Sequence, residues 1–175
     1  MNYHNITYPD QNNGDGLRVV LWLSGCSHHC TGCQNPQTWN PNGGIPFDDK
    51  AFNELFNELD KDYISGITLT GGDPLYIDNL SEVYHICSCA KRLYPNKTIW
   101  IYTGYTWEEI YKLYDEDSYG NDIRQLILKY CDVLIDGEYK TELRDITLKW
   151  RGSKNQRVID VQESLKQNKI VLYCN

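Results

Sequence analysis

Apolar residues recur along this chain in two alternating rhythms. Short apolar runs mark strands. Leu17–Ser24 reads as a buried strand, followed by Ile64–Thr70, Lys97–Thr103 and Cys131–Asp136. Between them the spacing changes to that of amphipathic helices. Asp48–Asp60 places Phe52, Leu55, Phe56 and Leu59 on one face, and Ile77–Leu93 aligns Leu80, Val83, Cys87 and Ala90. Thr106 and Glu109 form a capping box for a helix carrying Trp107, Ile110, Tyr111 and Leu113. A shorter helix is predicted over Asp122–Tyr130, after a polar surface loop at Asp115–Asn121. Arg157–Val161 and Lys169–Tyr173 are predicted as late strands around a short helix at Glu163–Gln167.

A β-α-β-α order predicts a parallel sheet with right-handed crossovers. A closed eightfold barrel uses about 250 residues, and this chain has 175. The α/β architecture expected is therefore an open, partial (β/α) barrel of five or six parallel strands. It forms one domain over residues 1–175, with no linker or low-complexity tract. Ligands of such sheets gather at the C-terminal strand ends. Four informative segments fall there: the loop after the first strand, Gly71-Gly72-Asp73-Pro74, Thr103-Gly104-Tyr105 and Gly137-Glu138-Tyr139.

Composition narrows the function. The 41% hydrophobic content and the periodic segments exclude a disordered chain. A net charge of −7 argues against tracking a nucleic-acid backbone. The N-terminus lacks the basic-then-apolar pattern of a signal peptide. The longest apolar run, Val19 to Leu23, is too short to cross a bilayer. Seven cysteines, an odd number with three bunched together, point to a reducing cytoplasm rather than a disulfide framework.

The bunched cysteines are Cys26, Cys30 and Cys33, a C-x3-C-x2-C pattern. Three thiolates without a fourth suit a [4Fe–4S] cluster with one iron open to an outside ligand. Zinc with His28 or His29 as fourth ligand is a rival, as is a thioredoxin-like Cys30-Thr31-Gly32-Cys33. Three unrelated core thiols are the plainest alternative. The Gly71–Pro74 segment bears on this choice. Its glycines leave the backbone open to a ligand, and Asp73 supplies a carboxylate acceptor, which together suit the amino group of an amino-acid ligand. Alone, the segment is an ordinary strand-to-helix turn.

Together the two motifs resemble those of the radical S-adenosylmethionine (SAM) superfamily. Further segments resemble one family within it, the activating proteins of anaerobic, class III ribonucleotide reductases. They are Asn13-Gly14-Asp15-Gly16-Leu17-Arg18, the Cys26-x-His28-x-Cys30-x-Gly32-Cys33 form, Trp39, Trp100 to Tyr105, Asp136 to Tyr139 and Trp150 to Asp160. Asp73 departs from the superfamily's commoner Glu, and Gly32 from its usual aromatic.

The resemblance implies that Cys26, Cys30 and Cys33 hold a [4Fe–4S] cluster whose open iron binds SAM. It implies that Gly71, Gly72 and Asp73 receive the amino end of SAM. Thr103 is a candidate for its carboxylate or ribose, Asp136 and Glu138 for the ribose, and Arg157 for the carboxylate. The expected act is hydrogen abstraction from a glycine Cα of the catalytic subunit of the reductase, with a flavodoxin-like electron donor. The cationic group Lys149, Arg151 and Lys154 is a candidate docking patch, and residues 150–175 complete the sheet or dock the partner. Histidines 28 and 29 read as loop imidazoles near the sulfurs. Cys87, Cys89, Cys131 and Cys174 have no partner at cluster spacing. Three rival functions stay open: a pyruvate formate-lyase-type activase, a small-molecule radical SAM synthase, and a non-catalytic Fe–S or zinc module.

Overall fold

A computed structural model of the chain describes residues 1–112 and 118–174. Its centre is one eight-stranded sheet in the order β3-β1-β2-β4-β5-β6-β7-β8. The strands are β1 (Asn2–Asp10), β2 (Arg18–Leu23), β3 (Ile45–Pro46), β4 (Gly66–Gly71), β5 (Thr98–Tyr102), β6 (Val133–Asp136), β7 (Arg157–Asp160) and β8 (Leu172–Cys174). The helices are α1 (Asp49–Leu59), α2 (Leu80–Leu93), α3 (Trp107–Ile110), α4 (Ser118–Leu128) and α5 (Val161–Gln167).

Four strands, β2, β4, β5 and β6, are parallel, and not the five or six expected. The other four run antiparallel at the two sides. The first reason is β1. Its sequence is mostly polar, and only Tyr3 and Ile6 are buried apolar positions, so it leaves no strand-like apolar run. The second is β7. A parallel neighbour of β6 would need a crossover back across the sheet. Residues 137–156 contain no crossover helix, just a 3-10 turn, Thr141–Leu143, and an antiparallel bridge between Arg144 and Ser153, and the chain re-enters beside Asp136, pairing it with Arg157 in the antiparallel sense.

Local signals match closely elsewhere. The Asp48 side chain caps α1 by accepting the Ala51 N–H at 2.9 Å. The Thr106–Glu109 capping box starts α3 as predicted. The predicted helix at Ile77–Leu93 divides into a 3-10 turn, Ile77–Asn79, and α2, with its apolar stripe buried. Cys89, off that stripe, is buried too. Helix α4 begins at Ser118, ahead of the predicted Asp122. Leu113, and residues 115–117 of the predicted loop, lie outside the described residues. Among the described residues no helix is long and apolar enough to cross a membrane.

All five helices contribute to one core against one face of the sheet, where Val19, Leu21, Leu23, Ile67, Leu69, Ile99, Ile101 and Leu134 point. Alternate residues face the other side. There Trp100, Val133, Ile135 and Val158 form a smaller cluster with Tyr102 and Trp150 packed on it. Arg18 is fully buried beneath Trp100. It donates to Thr68 Oγ1, Thr98 Oγ1 and the carbonyls of Asp15, Ile67 and Thr98 at 2.6–3.1 Å. Burial lowers its pKa to about 10, still above neutrality. Arg18 of the Asn13–Arg18 motif thus ties β2 to β4 and β5, while Asn13 lines a cleft at the strand ends. Arg18→Met strips these acceptors of their donor and is expected to cost about 3 kcal/mol or more. Urea unfolding of the metal-free chain measures it.

Candidate active site

The C-terminal ends of β2, β4, β5 and β6 open on a cleft of about 440 Å³, within the roughly 300–1,000 Å³ of small-molecule sites. Cys26, Cys30 and Cys33 line it together with Gly71, Gly72, Asp73 and Thr103.

The cysteine loop is pinned from both sides. Gly25 N–H donates to the Thr38 carbonyl and Cys26 N–H to that of Trp39. On the β4 side, Gly72 N–H donates to the Leu23 carbonyl and Asp73 N–H to that of Gly25, at 2.8 and 2.7 Å. The approach is close: a Cβ on Gly72 would lie 2.5 Å from the Gly25 oxygen. Glycine at 72 therefore seats the cysteine loop against the end of β4. Thr141 Oγ1 holds the far side of the loop through the Thr31 carbonyl at 2.6 Å.

Asp73 is the hub of the rim. It is 1% exposed. Its Oδ1 accepts the Leu75 N–H at 2.8 Å, its Oδ2 the Gly104 N–H at 2.9 Å, and Thr103 Oγ1 donates across both oxygens at 2.9 and 3.0 Å. His28 Nε2 lies 3.0 Å from Oδ2, an electrostatic contact off the line of a good hydrogen bond. The carboxylate is thus engaged with protein groups on three loops. Thr103 is engaged likewise, donating to Asp73 and accepting the Tyr105 N–H.

His28 ties the cysteine loop to the rim. Its Nδ1 lies 3.0 Å from Glu138 Oε1, and its ring meets Tyr105 edge-on at 4.6 Å. Burial works against charge on the ring, but the carboxylates of Asp73 and Glu138 outweigh it and raise its pKa. Gly104 leaves the ring its space, since a Cβ there would stand 2.4 Å from His28 Cδ2. Gly104→Ala is expected to displace His28 and lower stability by about 1–3 kcal/mol, read as a drop in the thermal midpoint.

Two expected residues lie elsewhere. Asp136 is fully buried, accepting the Trp107 N–H at 2.9 Å and pairing with Arg157. Arg157 Nη1 and Nη2 also donate to the two oxygens of Glu108, at 2.9 and 2.6 Å. This triad fastens β6 and β7 to α3. Glu108 and Asp136 raise the pKa of Arg157, and Arg157 lowers that of Glu108. Neither Asp136 nor Arg157 is among the residues lining the cleft. Sequence spacing placed them at strand ends but could not show that their charges satisfy one another. Conversely, Arg151, Trp150 and Tyr139 do line the cleft. For Trp150 and Arg151 the signal was the Trp150–Asp160 motif, whose cations read as a docking patch, and for Tyr139 it was the Asp136–Tyr139 segment.

The donor set fits an iron–sulfur cluster. Burial and the nearby Asp73 push the Cys26 thiol up to about 11, and burial raises that of Cys30. Three cysteines lining one cleft are the ligand type and number for such a cluster, whose irons would hold them as thiolates. A mononuclear zinc site needs its ligands to converge on one point. Among the described residues no three His, Cys, Asp or Glu side chains do so. His28 faces carboxylates, and His29 packs on Trp39 at 4.9 Å.

Residues 12–159 match the model of the 4Fe-4S single cluster domain family. The class defined by fold and site is thus that of proteins carrying one [4Fe–4S] cluster on a mixed α/β sheet. Curated relatives are more specific. The anaerobic ribonucleoside-triphosphate reductase-activating protein of Enterobacteria phage T4 is 46% identical over 159 residues, 90% of this chain and 93% of that protein. Its namesakes from Pasteurella multocida (strain Pm70) and Escherichia coli (strain K12) are 39% and 37% identical, over 89% and 90% of this chain and 95% and 97% of theirs. The chain belongs to the family of anaerobic ribonucleoside-triphosphate reductase-activating proteins.

Proposed function

We propose that this protein activates an anaerobic ribonucleoside-triphosphate reductase by generating a glycyl radical in its catalytic subunit. The observation that carries the reading is the meeting of three cysteines and the Gly71–Asp73 segment in one cleft. When bound, the cluster and SAM supply the chemistry: one electron enters the sulfonium, and methionine, 5′-deoxyadenosine and a glycyl radical result.

The chain's own residues do the positioning. Cys26, Cys30 and Cys33 hold the cluster and leave one iron for SAM. The Gly71-Gly72 main chain takes the amino end of SAM. Asp73, engaged by Leu75, Thr103 and Gly104, fixes the shape of that main chain and acts through it. Thr103 supports Asp73 in this role. Asp136 and Arg157 brace β6, β7 and α3 beneath the site. The helices on one face and the cleft at the strand ends support the partial (β/α) barrel of the radical SAM type. The remaining parts of the reading are a cytoplasmic setting and a flavodoxin-like donor of the electron.

Anaerobic reconstitution with iron and sulfide, followed by dithionite and SAM, tests the reading. A brown protein with about four iron ions per chain that forms 5′-deoxyadenosine is expected. A colourless protein binding one zinc would overturn it.

A further inference from the structure

Residues 150–156 form one wall of the cleft, and their backbone is unusual. Trp150 has φ +64, a conformation that a bulky side chain rarely adopts. Its ring packs edge-on against Trp100 at 5.6 Å. Gln156 braces the turn. Its Oε1 accepts the N–H groups of Gly152 and Ser153 at 3.0 and 3.2 Å, and its Nε2 donates to the Gly137 carbonyl at 3.0 Å.

This brace presents Arg151. The Nη1 of Arg151 donates to the Gln156 carbonyl at 2.9 Å. Its Nε is buried with no acceptor among the described residues, and so is the indole N–H of Trp150. Backbone strain and two buried donors without acceptors each destabilise a fold, and such costs gather where a ligand completes a site. Among the described residues that line the cleft, Arg151 is the one lysine or arginine. Arg157 is engaged by Asp136 and Glu108.

We propose that Arg151 binds the carboxylate of the amino-acid end of SAM. The inference rests on the proposed use of SAM by this cleft. With Nη1 held by Gln156, the Nε–Nη2 edge remains, and such an edge meets a carboxylate through two parallel hydrogen bonds. The strained turn at Trp150 then serves to hold that edge for the ligand, in the cleft that Gly71 and Gly72 also line. Arg151 is a binding residue for the cofactor and takes no part in bond breaking.

Equilibrium binding to the reconstituted protein, measured with SAM and with decarboxylated SAM, tests this. Arg151→Gln is expected to weaken SAM binding about 10- to 100-fold, with Arg151→Lys recovering part of the loss. Both variants should keep wild-type iron content and thermal midpoint. Toward decarboxylated SAM, wild type and both variants should bind alike, because the group that Arg151 holds is gone. Wild-type SAM affinity in Arg151→Gln overturns the inference, as does a loss of equal size for both ligands. If Arg151→Gln binds and cleaves SAM normally but yields no glycyl radical in the reductase, Arg151 serves the protein substrate and the carboxylate assignment falls. Should Arg151→Gln lose iron, Arg151→Lys compared between the two ligands decides. A wild-type protein that binds no SAM would instead overturn the function proposed for the cleft.

Discussion

Replacing Cys30 with alanine is expected to abolish cluster assembly and all SAM cleavage while the chain stays folded. Cys30 lies in a loop outside the strands and helices, and its thiol is only half-buried. Its carbonyl accepts the Cys33 N–H at 3.1 Å, a contact that alanine keeps. The fold therefore loses less than about 1 kcal/mol. The cluster loses one of three thiolates, and none of the other four cysteines lines the cleft. Cys87, Cys89 and Cys131 are buried in the core behind the sheet, where burial pushes the Cys87 thiol up to about 12 and that of Cys131 well above its ordinary value. Iron content, visible absorption and 5′-deoxyadenosine should vanish together in Cys30→Ala, with circular dichroism unchanged. Cys131→Ala should do the opposite, lowering stability by about 1–2 kcal/mol through its cavity while keeping iron. A Cys30→Ala protein that still cleaves SAM would show the cluster to be held elsewhere.

The second large effect is expected at Asp73. Asp73→Ala leaves the N–H groups of Leu75 and Gly104 and the Thr103 hydroxyl without their acceptor. It also removes the anion opposite His28. Hydrogen bonds to a charged group contribute about 1.5–3 kcal/mol each, and these losses share one network, so a total of about 3–5 kcal/mol is expected. SAM cleavage should fall by about 100-fold or more, since misplacement of this order at a site costs that much. Asp73→Asn is isosteric but is expected to fail partly as well, because its amide nitrogen would face a backbone donor in either orientation, the Leu75 N–H at the Oδ1 position or the Gly104 N–H at the Oδ2 position. Denaturant unfolding and 5′-deoxyadenosine formation measure the two effects separately. Wild-type stability with lost SAM binding in Asp73→Ala would assign the carboxylate to the ligand directly.

Much of this site was legible in the chain. Period and spacing placed the Cys26–Cys33 loop, the Gly71–Pro74 turn and the Thr106 capping box at strand ends, because each depends on neighbours in sequence. What escaped depends on partners far along the chain. The polar β1 is a strand because β2 and β3 flank it, and the Leu17–Leu23 run carries the apolar signal for both. The antiparallel sense of β7 follows from a connection without a crossover helix, a feature of the loop and not of Arg157–Asp160 itself. The resemblance offers Asp136 for the ribose of SAM and Arg157, whose guanidinium matches a carboxylate, for its carboxylate. Their register, opposite one another on β6 and β7, turns them into a structural pair. His28 was read as an imidazole near sulfur, yet its partners Asp73 and Glu138 lie 45 and 110 positions away.

The most direct test of the proposed function is the radical itself. The reconstituted protein, SAM and a reductant are incubated without oxygen with the anaerobic reductase, and the mixture is examined by electron paramagnetic resonance. The account predicts an organic radical on the reductase that depends on SAM, that is absent with Cys30→Ala, and whose main hyperfine splitting collapses when the reductase carries glycine deuterated at Cα. SAM cleavage to 5′-deoxyadenosine with no radical on the reductase would contradict it.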